Sequence, residues 1–123
     1  MIYFIRKLKE EVIFMKLIIA IVQDDDSGDL VGIINKAGFR VTKLATTGGF
    51  LRAGNTTLMI GVEKEKVDAV LGIIENTCKT REQIITSPSP VAGSTGVYVP
   101  YPVEVQVGGA TVFVVDVDKF LKV

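Results

Sequence analysis

The chain alternates between apolar runs of strand length and two segments whose apolar residues recur at helical spacing. Residues 17–22 are apolar throughout and rich in β-branched side chains, which indicates a strand buried on both faces. Apolar residues then recur every three or four positions over 30–37, which predicts an amphipathic helix. Asp26 or Ser27 is expected to cap this helix at its N-terminus, and Gly38 is expected to end it in the left-handed conformation.

Two more strands and a second helix are predicted in the middle of the chain. Residues 39–46 and 55–62 are expected to be strands, and residues 47–54 between them form a glycine-rich loop. The second helix is predicted to open at Glu63, because acidic residues near its start suit the helix dipole. Its apolar positions fall at i, i+3, i+4, i+7 and i+11, on Val67, Val70, Leu71, Ile74 and Cys78.

The C-terminal part begins with a predicted short strand over 82–85 and a long linker over 86–102, which contains all four prolines. Residues 103–107 alternate between apolar and polar, and the Gly108-Gly109 pair after them is typical of a hairpin turn. Residues 111–115 are expected to return as the last core strand. This order predicts an α+β fold, the ferredoxin-like βαββαβ sandwich, with two helices on one face of an antiparallel sheet and an extra β-hairpin or long loop inserted.

Both faces of the predicted sheet require burial, although two helices cover only one of them. Residues 17–22, 58–60 and 112–115 are apolar at consecutive positions, and consecutive strand residues point to opposite faces. The second face is therefore expected to be covered by other copies of the chain in a closed ring. The alternative is that the inserted hairpin or the N-terminal extension folds over it.

Residues 1–14 mix apolar and charged side chains and stand apart from this pattern. Their longest uncharged run is 1–5, too short for a signal peptide or a membrane span, so no membrane insertion is expected. Two interpretations are open: a short helical extension, or a segment upstream of the natural start, with Met15 as the initiator. The second is favoured, which gives an N-terminal extension at 1–14 and a single domain at 15–123.

Composition excludes several classes of function. Lys plus Arg and Asp plus Glu both number 14, and a neutral chain argues against a general nucleic-acid binder. The absence of histidine excludes a Ser-His-Asp triad and any His-ligated metal site. The lone Cys78 cannot form an internal disulfide, so a reducing, cytoplasmic setting is the simpler interpretation. The sequence implies no cofactor.

The glycine-rich loop resembles the phosphate-loop pattern GxxxxGK[ST] over residues 49–56, but Asn55 stands where the lysine belongs. A true phosphate loop is followed by a helix, whereas an apolar strand is predicted here, so an ATPase is rejected. A looser anion site remains, in which glycine amides act with the forked guanidinium groups of Arg40 and Arg52. A flexible hairpin loop with incidental polar residues is the competing interpretation.

Residues 40–57, RVTKLATTGGFLRAGNTT, resemble the signature of the PII-like cyclic-di-AMP receptor proteins of Gram-positive bacteria. KLIIAIVQD at 16–24, PYPVEV at 100–105 and VGGATVF at 107–113 resemble the same family, and the likeness runs from Met15 to the C-terminus. The resemblance implies a homotrimer and a non-enzymatic signalling receptor, which binds cyclic-di-AMP in clefts between neighbouring subunits. The family's binding positions that match are Arg40, Thr42, Gly49, Phe50, Leu51, Asn55 and Gly61, with the Lys122 region at the neighbour's contribution.

The chemistry of these residues suits such a ligand. Arg40 would screen a phosphate, and the amides of Gly48 and Gly49 would donate to one. Thr42 and Asn55 offer the donor and the acceptor that an adenine edge needs. Two apolar residues, Phe50 and Leu51, would cover the base. Ligand binding is expected to order the loops at 47–54 and 86–102 and so present a changed surface to a downstream protein that the sequence does not identify.

Two other functions are alternatives to the receptor. A PII-type nitrogen or energy regulator that binds ATP or another adenine nucleotide fits less well, because the resemblance puts the long loop after the second helix. In typical PII proteins the long loop follows the second strand. An enzyme acting on a nucleotide lacks an evident base or activated nucleophile.

Overall fold

Seven strands and two helices follow one another in the computed structural model, which describes residues 4–8, 11–49, 52–90 and 98–123. A short 3₁₀ turn at Lys64–Lys66 precedes the second helix. The strands and helices are β1 (Phe4–Leu8), β2 (Glu11–Gln23), α1 (Asp24–Lys36), β3 (Thr42–Gly49), β4 (Arg52–Glu63), α2 (Val67–Cys78), β5 (Arg81–Pro90), β6 (Tyr98–Val107) and β7 (Ala110–Asp116).

The main sheet is built around β2, which pairs antiparallel with β4 on one edge and with β7 on the other. Strand β3 pairs antiparallel with β4, so the order across the sheet is β7, β2, β4, β3. Both helices pack against this sheet through a common cluster of apolar side chains. The prediction of a mixed α and β fold with an antiparallel sheet is therefore confirmed.

The core lies between the helices and one face of the main sheet. Alternate residues of a strand share a face, and the alternate residues that face the helices are those that exclude water. Every member of this cluster is almost fully buried: Ile18, Ala20, Val22, Leu30, Ile34, Leu58, Ile60, Val62, Val70, Ile74 and Cys78. The α2 members are among the residues that the helical spacing predicted.

The opposite face of the main sheet, here called the open face, carries large apolar side chains within reach of solvent. Leu17 and Ile19 of β2 are half-buried there, and Phe113, paired with Ile19, is 52% exposed. This is the face that the sequence pattern identified as needing cover. Coverage by other copies of the chain stays a prediction.

Helix α1 begins earlier than predicted. Its first residue is Asp24, and Gln23 occupies the cap position with an extended backbone and no side-chain cap bond. Asp26 and Ser27, the predicted caps, lie in the first turn and are buried. The prediction failed because Ser27 donates to the Asp24 carbonyl oxygen at 2.8 Å, whereas Asp26 binds Arg81 from another element. The C-terminal prediction was right, since Gly38 has a φ of +96°.

The glycine-rich loop is largely part of a β-hairpin. Thr47 pairs with Asn55 and Gly49 with Arg52, so the predicted loop at 47–54 lies mostly within β3 and β4. The predicted strand at 39–46 starts later, at Thr42, and extends into the glycines. Residue type predicted a loop over the whole of 47–54, but backbone pairing between the two strands continues as far as Gly49 and Arg52.

Strands β5 and β6 form a separate two-stranded antiparallel sheet, here called the β5–β6 arm, which pairs from Arg81 and Val107 to Pro90 and Tyr98. The short strand at 82–85 is thus longer than predicted, and most of the predicted linker at 86–102 is strand. The prediction of a hairpin at Gly108-Gly109 is wrong, because β6 pairs with β5 and β7 pairs with β2. The two glycines, with φ of +87° and +91°, turn the chain from the arm into the main sheet.

At the N-terminus, β1 pairs antiparallel with the first part of β2, from Phe4 opposite Phe14 to Leu8 opposite Glu11. The alternative of a short helical extension is wrong, because Phe4–Leu8 is a strand that pairs with the start of β2. Strand β2 itself begins at Glu11, six residues before the predicted apolar strand at 17–22. Within the described ranges, no helix is long and apolar enough to cross a membrane.

Candidate ligand site on the open face

The β3–β4 hairpin places three of the predicted site residues on the open face. Thr42 pairs with Met59, and Asn55, Met59 and Gly61 share one face because they alternate along β4. Thr42 and Asn55 are both exposed. Their polar groups therefore lie beside apolar side chains, on a surface that the helices leave uncovered.

Four more of the predicted residues belong to the glycine-rich segment. The backbone of Gly48 and Gly49 lies at the end of β3, and their amides were expected to meet a phosphate. Phe50 and Leu51, the predicted cover for the base, lie outside the described residues.

Asn55 lines a pocket of about 290 Å³ at one end of the main sheet. Gln23 pairs with Asn55 across β2 and β4, and Thr111 lines the same pocket from β7. The rest of the lining comes from Ile21 and from the chain between Gly108 and Ala110. The N–H of Gly108 donates to Oε1 of Gln23 at 2.7 Å, which ties the pocket wall to the corner that leads into β7.

Arg40 and Gly61 line a second cavity, of about 470 Å³, towards the opposite end of β4. Arg40 and Lys66 bring positive charge to its lining and Glu63 brings negative charge. A Cβ at Gly61 would meet only the Met15 Cε at 3.8 Å, which is an ordinary contact. Packing within this chain therefore does not require glycine at position 61.

The predicted site residues are thus not gathered into one cavity within the chain. Asn55 and Gly61 are about six residues apart on one extended strand, which corresponds to roughly 20 Å. Thr42 lies between them, opposite Met59. One group belongs to the pocket near Gln23 and the other to the cavity near Arg40.

The sequence pattern did not identify Gln23 as a site residue. The signal was its place at the end of an apolar run that pairs with the strand containing Asn55. Aligning the two strands from their hydrophobic pattern would have placed the two amides side by side. Composition gives no such hint, because glutamine is common on protein surfaces.

A second polar cluster ties the root of the β5–β6 arm to α1. The guanidinium of Arg81 donates to the buried Asp26 carboxylate, with Nη2 2.6 Å from Oδ1, and to the Lys79 carbonyl oxygen at 3.1 Å. The hydrogen bond to Asp26 raises the pKa of Arg81 above its ordinary value. In the same region, the Thr56 hydroxyl donates to the Asp24 carboxylate, which joins β4 to α1.

Cys78 lies at the end of α2 with its side chain in the core. Burial, reinforced by the negative charge of Asp26, raises the pKa of the Cys78 thiol to about 11. A thiol with so high a pKa is a poor nucleophile at neutral pH, as expected for a small buried apolar residue. Among the residues that the structure describes, no group of three or more metal-binding side chains is close enough to hold an ion.

Among solved structures, the chain is similar to a functionally unknown protein from Pediococcus pentosaceus ATCC 25745. The two are 48% identical, with 89% of this chain and 97% of that chain covered and a TM-score of 0.71. The chain also matches Arabidopsis thaliana PII bound to citrate at 18% identity. That match covers 85% of this chain and 75% of that one with a TM-score of 0.49, and no conclusion rests on it.

Residues 15–123 match the family model described as cyclic-di-AMP receptor. The matched span includes both cavities and every residue of the predicted site. The resemblance noted in residues 40–57 is thereby confirmed, and the chain belongs to the cyclic-di-AMP receptor family.

Proposed function

We propose that this protein is a non-enzymatic receptor that binds cyclic-di-AMP in clefts between the subunits of a homotrimer. The observation that carries the proposal is the exposure of Thr42 and Asn55 on an apolar sheet face, within a chain that belongs to the cyclic-di-AMP receptor family. Polar groups on an uncovered apolar surface suit a cleft that closes when a second surface approaches.

The two groups of site residues support a ligand shared between subunits. Asn55 and Gly61 are too far apart along β4 to line one cavity of this chain, yet neighbouring copies would bring such groups together. A neighbour would also bring its C-terminal region, where Lys122 is exposed. In this arrangement Arg40 neutralises a phosphate, and Thr42 and Asn55 hydrogen-bond an adenine edge.

The room around Gly61 supports the same assignment. Because a side chain there would make only ordinary contact within the chain, folding gives no reason for glycine. Close approach of a ligand or of a neighbouring backbone gives one. Gly48 and Gly49 are proposed to offer backbone amides to a phosphate, and Phe50 and Leu51 to cover the base.

Ligand binding is proposed to change the β3–β4 hairpin and the β5–β6 arm. The β3–β4 hairpin carries Asn55, and the β5–β6 arm joins the same pocket through Gly108. Ligand binding would restrict both, and a cytoplasmic partner protein would read the changed surface. The receptor unit is proposed to start at Met15, where the family match begins.

Calorimetric titration beside a mass determination in solution tests the proposal. We expect a trimer that binds cyclic-di-AMP, leaves it chemically intact and gives little heat with ATP. Thr42→Ala and Asn55→Ala should each weaken binding by about tenfold, because one lost hydrogen bond in a desolvated site costs about 1–3 kcal/mol.

Asn35→Ala is the matched control for the site variants, since Asn35 is an exposed asparagine on α1. It should bind like the wild type. A monomer that does not bind cyclic-di-AMP would contradict the proposed receptor function. Tight binding of ATP in its place would instead favour a PII-type regulator.

A further inference from the structure

Gln23 holds an unusual position at the junction of β2 and α1. It is the residue before the first turn of α1, where short polar side chains commonly cap the helix, yet its side chain makes no cap bond. Its amide oxygen instead accepts the Gly108 N–H at 2.7 Å. The side chain is thus directed to the open face and lines the pocket beside Asn55.

The bond to Gly108 determines what Gln23 offers to that pocket. A primary amide has one oxygen acceptor and one nitrogen with two N–H donors. Because the oxygen is engaged by Gly108, the nitrogen is presented as a donor on the other side of the amide. Gln23 therefore supplies a hydrogen-bond donor of fixed direction rather than a group free to flip.

The turn at Gly108-Gly109, which fixes Gln23, is closely packed. Gly108 has a φ of +87°, and a Cβ built there would lie 2.5 Å from the Lys79 carbonyl oxygen and 2.6 Å from Nη1 of Arg81. Arg81 is in turn held by the buried Asp26 carboxylate. The close packing of the Gly108 backbone against Lys79 and Arg81 holds its N–H in place, which preorganises the Gln23 amide before any ligand arrives.

The lining of the pocket indicates the part of a ligand that it suits. It contains two amides, a hydroxyl, apolar carbon from Ile21 and Ala110, and no charged side chain. Such a lining suits a neutral heteroaromatic base with ring-nitrogen acceptors better than it suits a phosphate. The positively charged groups Arg40 and Lys66 lie in the other cavity.

We infer that Gln23 is a further ligand-contacting residue, which donates a hydrogen bond from its amide nitrogen to a ring nitrogen of an adenine held beside Asn55. The inference rests on the proposed function, because it assigns a residue to the base-binding part of the same site. It gives Gly108 a role in orienting that residue.

Two substitutions separate a ligand contact from a structural role. Gln23→Glu keeps an oxygen that accepts the Gly108 N–H but removes the donor, and Gln23→Met removes both without adding charge. We expect each to weaken cyclic-di-AMP binding about tenfold or more in calorimetric titration. Gln83→Glu, on the exposed arm, controls for the added negative charge and should bind like the wild type.

Amide hydrogen exchange at Gly108, without ligand, reports whether the turn at Gly108-Gly109 is intact in Gln23→Glu, which keeps the acceptor oxygen. Weak binding by Gln23→Glu with wild-type protection at Gly108 supports the contact. If either folded variant binds cyclic-di-AMP with an affinity within twofold of that of the wild type, the inference is overturned, whereas the proposed receptor function is unaffected. If the wild type does not bind cyclic-di-AMP at all, the proposed function fails and takes the inference with it.

Discussion

The two faces of the main sheet carry similar apolar side chains but differ in how far these are buried. On the helix face, Ile18, Leu58 and Ile60 are completely buried. On the open face, Leu17 and Ile19 alternate with them along β2 but are only half-buried, and Phe113 beside Ile19 is more exposed than buried. A single chain covers the helix face with its own helices, whereas the open face keeps apolar surface in contact with water.

This difference separates two demands on the same strands. The helix face is explained by the folding of the single chain, because its side chains interdigitate with α1 and α2. Folding of the single chain does not explain the apolar side chains of the open face, where Thr42 and Asn55 also lie. Substitutions on the two faces should therefore change different properties.

The largest effect on folding is expected from Ile60→Ala on the helix face. Ile60 is fully buried, so its loss should reduce the free energy of unfolding by about 2–5 kcal/mol through lost burial and a residual cavity. Met59→Ala, its neighbour on the open face, should cost clearly less under the same conditions. Denaturant titration of both variants at one protein concentration measures the difference, and equal losses would remove the distinction between the faces.

A smaller loss is expected where the arm joins the main sheet. Gly108→Ala places a Cβ against the Lys79 carbonyl oxygen and demands a positive φ, so it should destabilise the fold by about 1–3 kcal/mol. Gly72→Ala is the control, because it lies in α2 with nothing within 4 Å of the new Cβ. The control should stabilise the helix by up to about 1 kcal/mol. Thermal unfolding of the pair tests the prediction, and a Gly108→Ala variant as stable as the wild type would show that the corner relaxes.

The smallest effect on the folding of the chain itself is expected from Phe113→Ser on the open face. Because Phe113 is already exposed in the single chain, its removal should leave secondary structure intact and should reduce the assembled mass in solution. Ile33→Ser, at a comparably exposed apolar residue on α1, should leave the assembly unchanged. Light scattering over a range of concentrations measures both variants. An unchanged mass for Phe113→Ser would argue that the open face is not the contact surface.

The elements that the sequence predicted well are those in which one local pattern determines the outcome. The spacing of Val70, Ile74 and Cys78 located the buried side of α2, and the apolar run at 17–22 located the C-terminal half of β2. The β5–β6 pairing was missed because alternation at 103–107 identifies a strand but not its partner. A glycine pair favoured the nearest possible hairpin, whereas β7 gains more by pairing with the apolar strand β2.

The candidate site was predictable in part for a similar reason. Residue type and family resemblance pointed to Thr42 and Asn55, which lie on the predicted sheet. Gln23 was not found, because its orientation depends on a hydrogen bond from Gly108, far away along the chain. Asp26 does not act as the predicted cap, because it binds Arg81, which belongs to an element whose position the sequence did not reveal.

The β5–β6 arm is anchored at its root by Arg81, while its two strands run on for ten residues each. At about 3.3 Å per residue, the far end of the arm lies roughly 33 Å from this anchor. A rotation of about 10° at the root would displace the far end by roughly 6 Å over that length. In the receptor proposed above, the arm would therefore act as a lever with its fulcrum at the Asp26–Arg81 ion pair, and a small adjustment beside the pocket would be magnified at the far ends of β5 and β6.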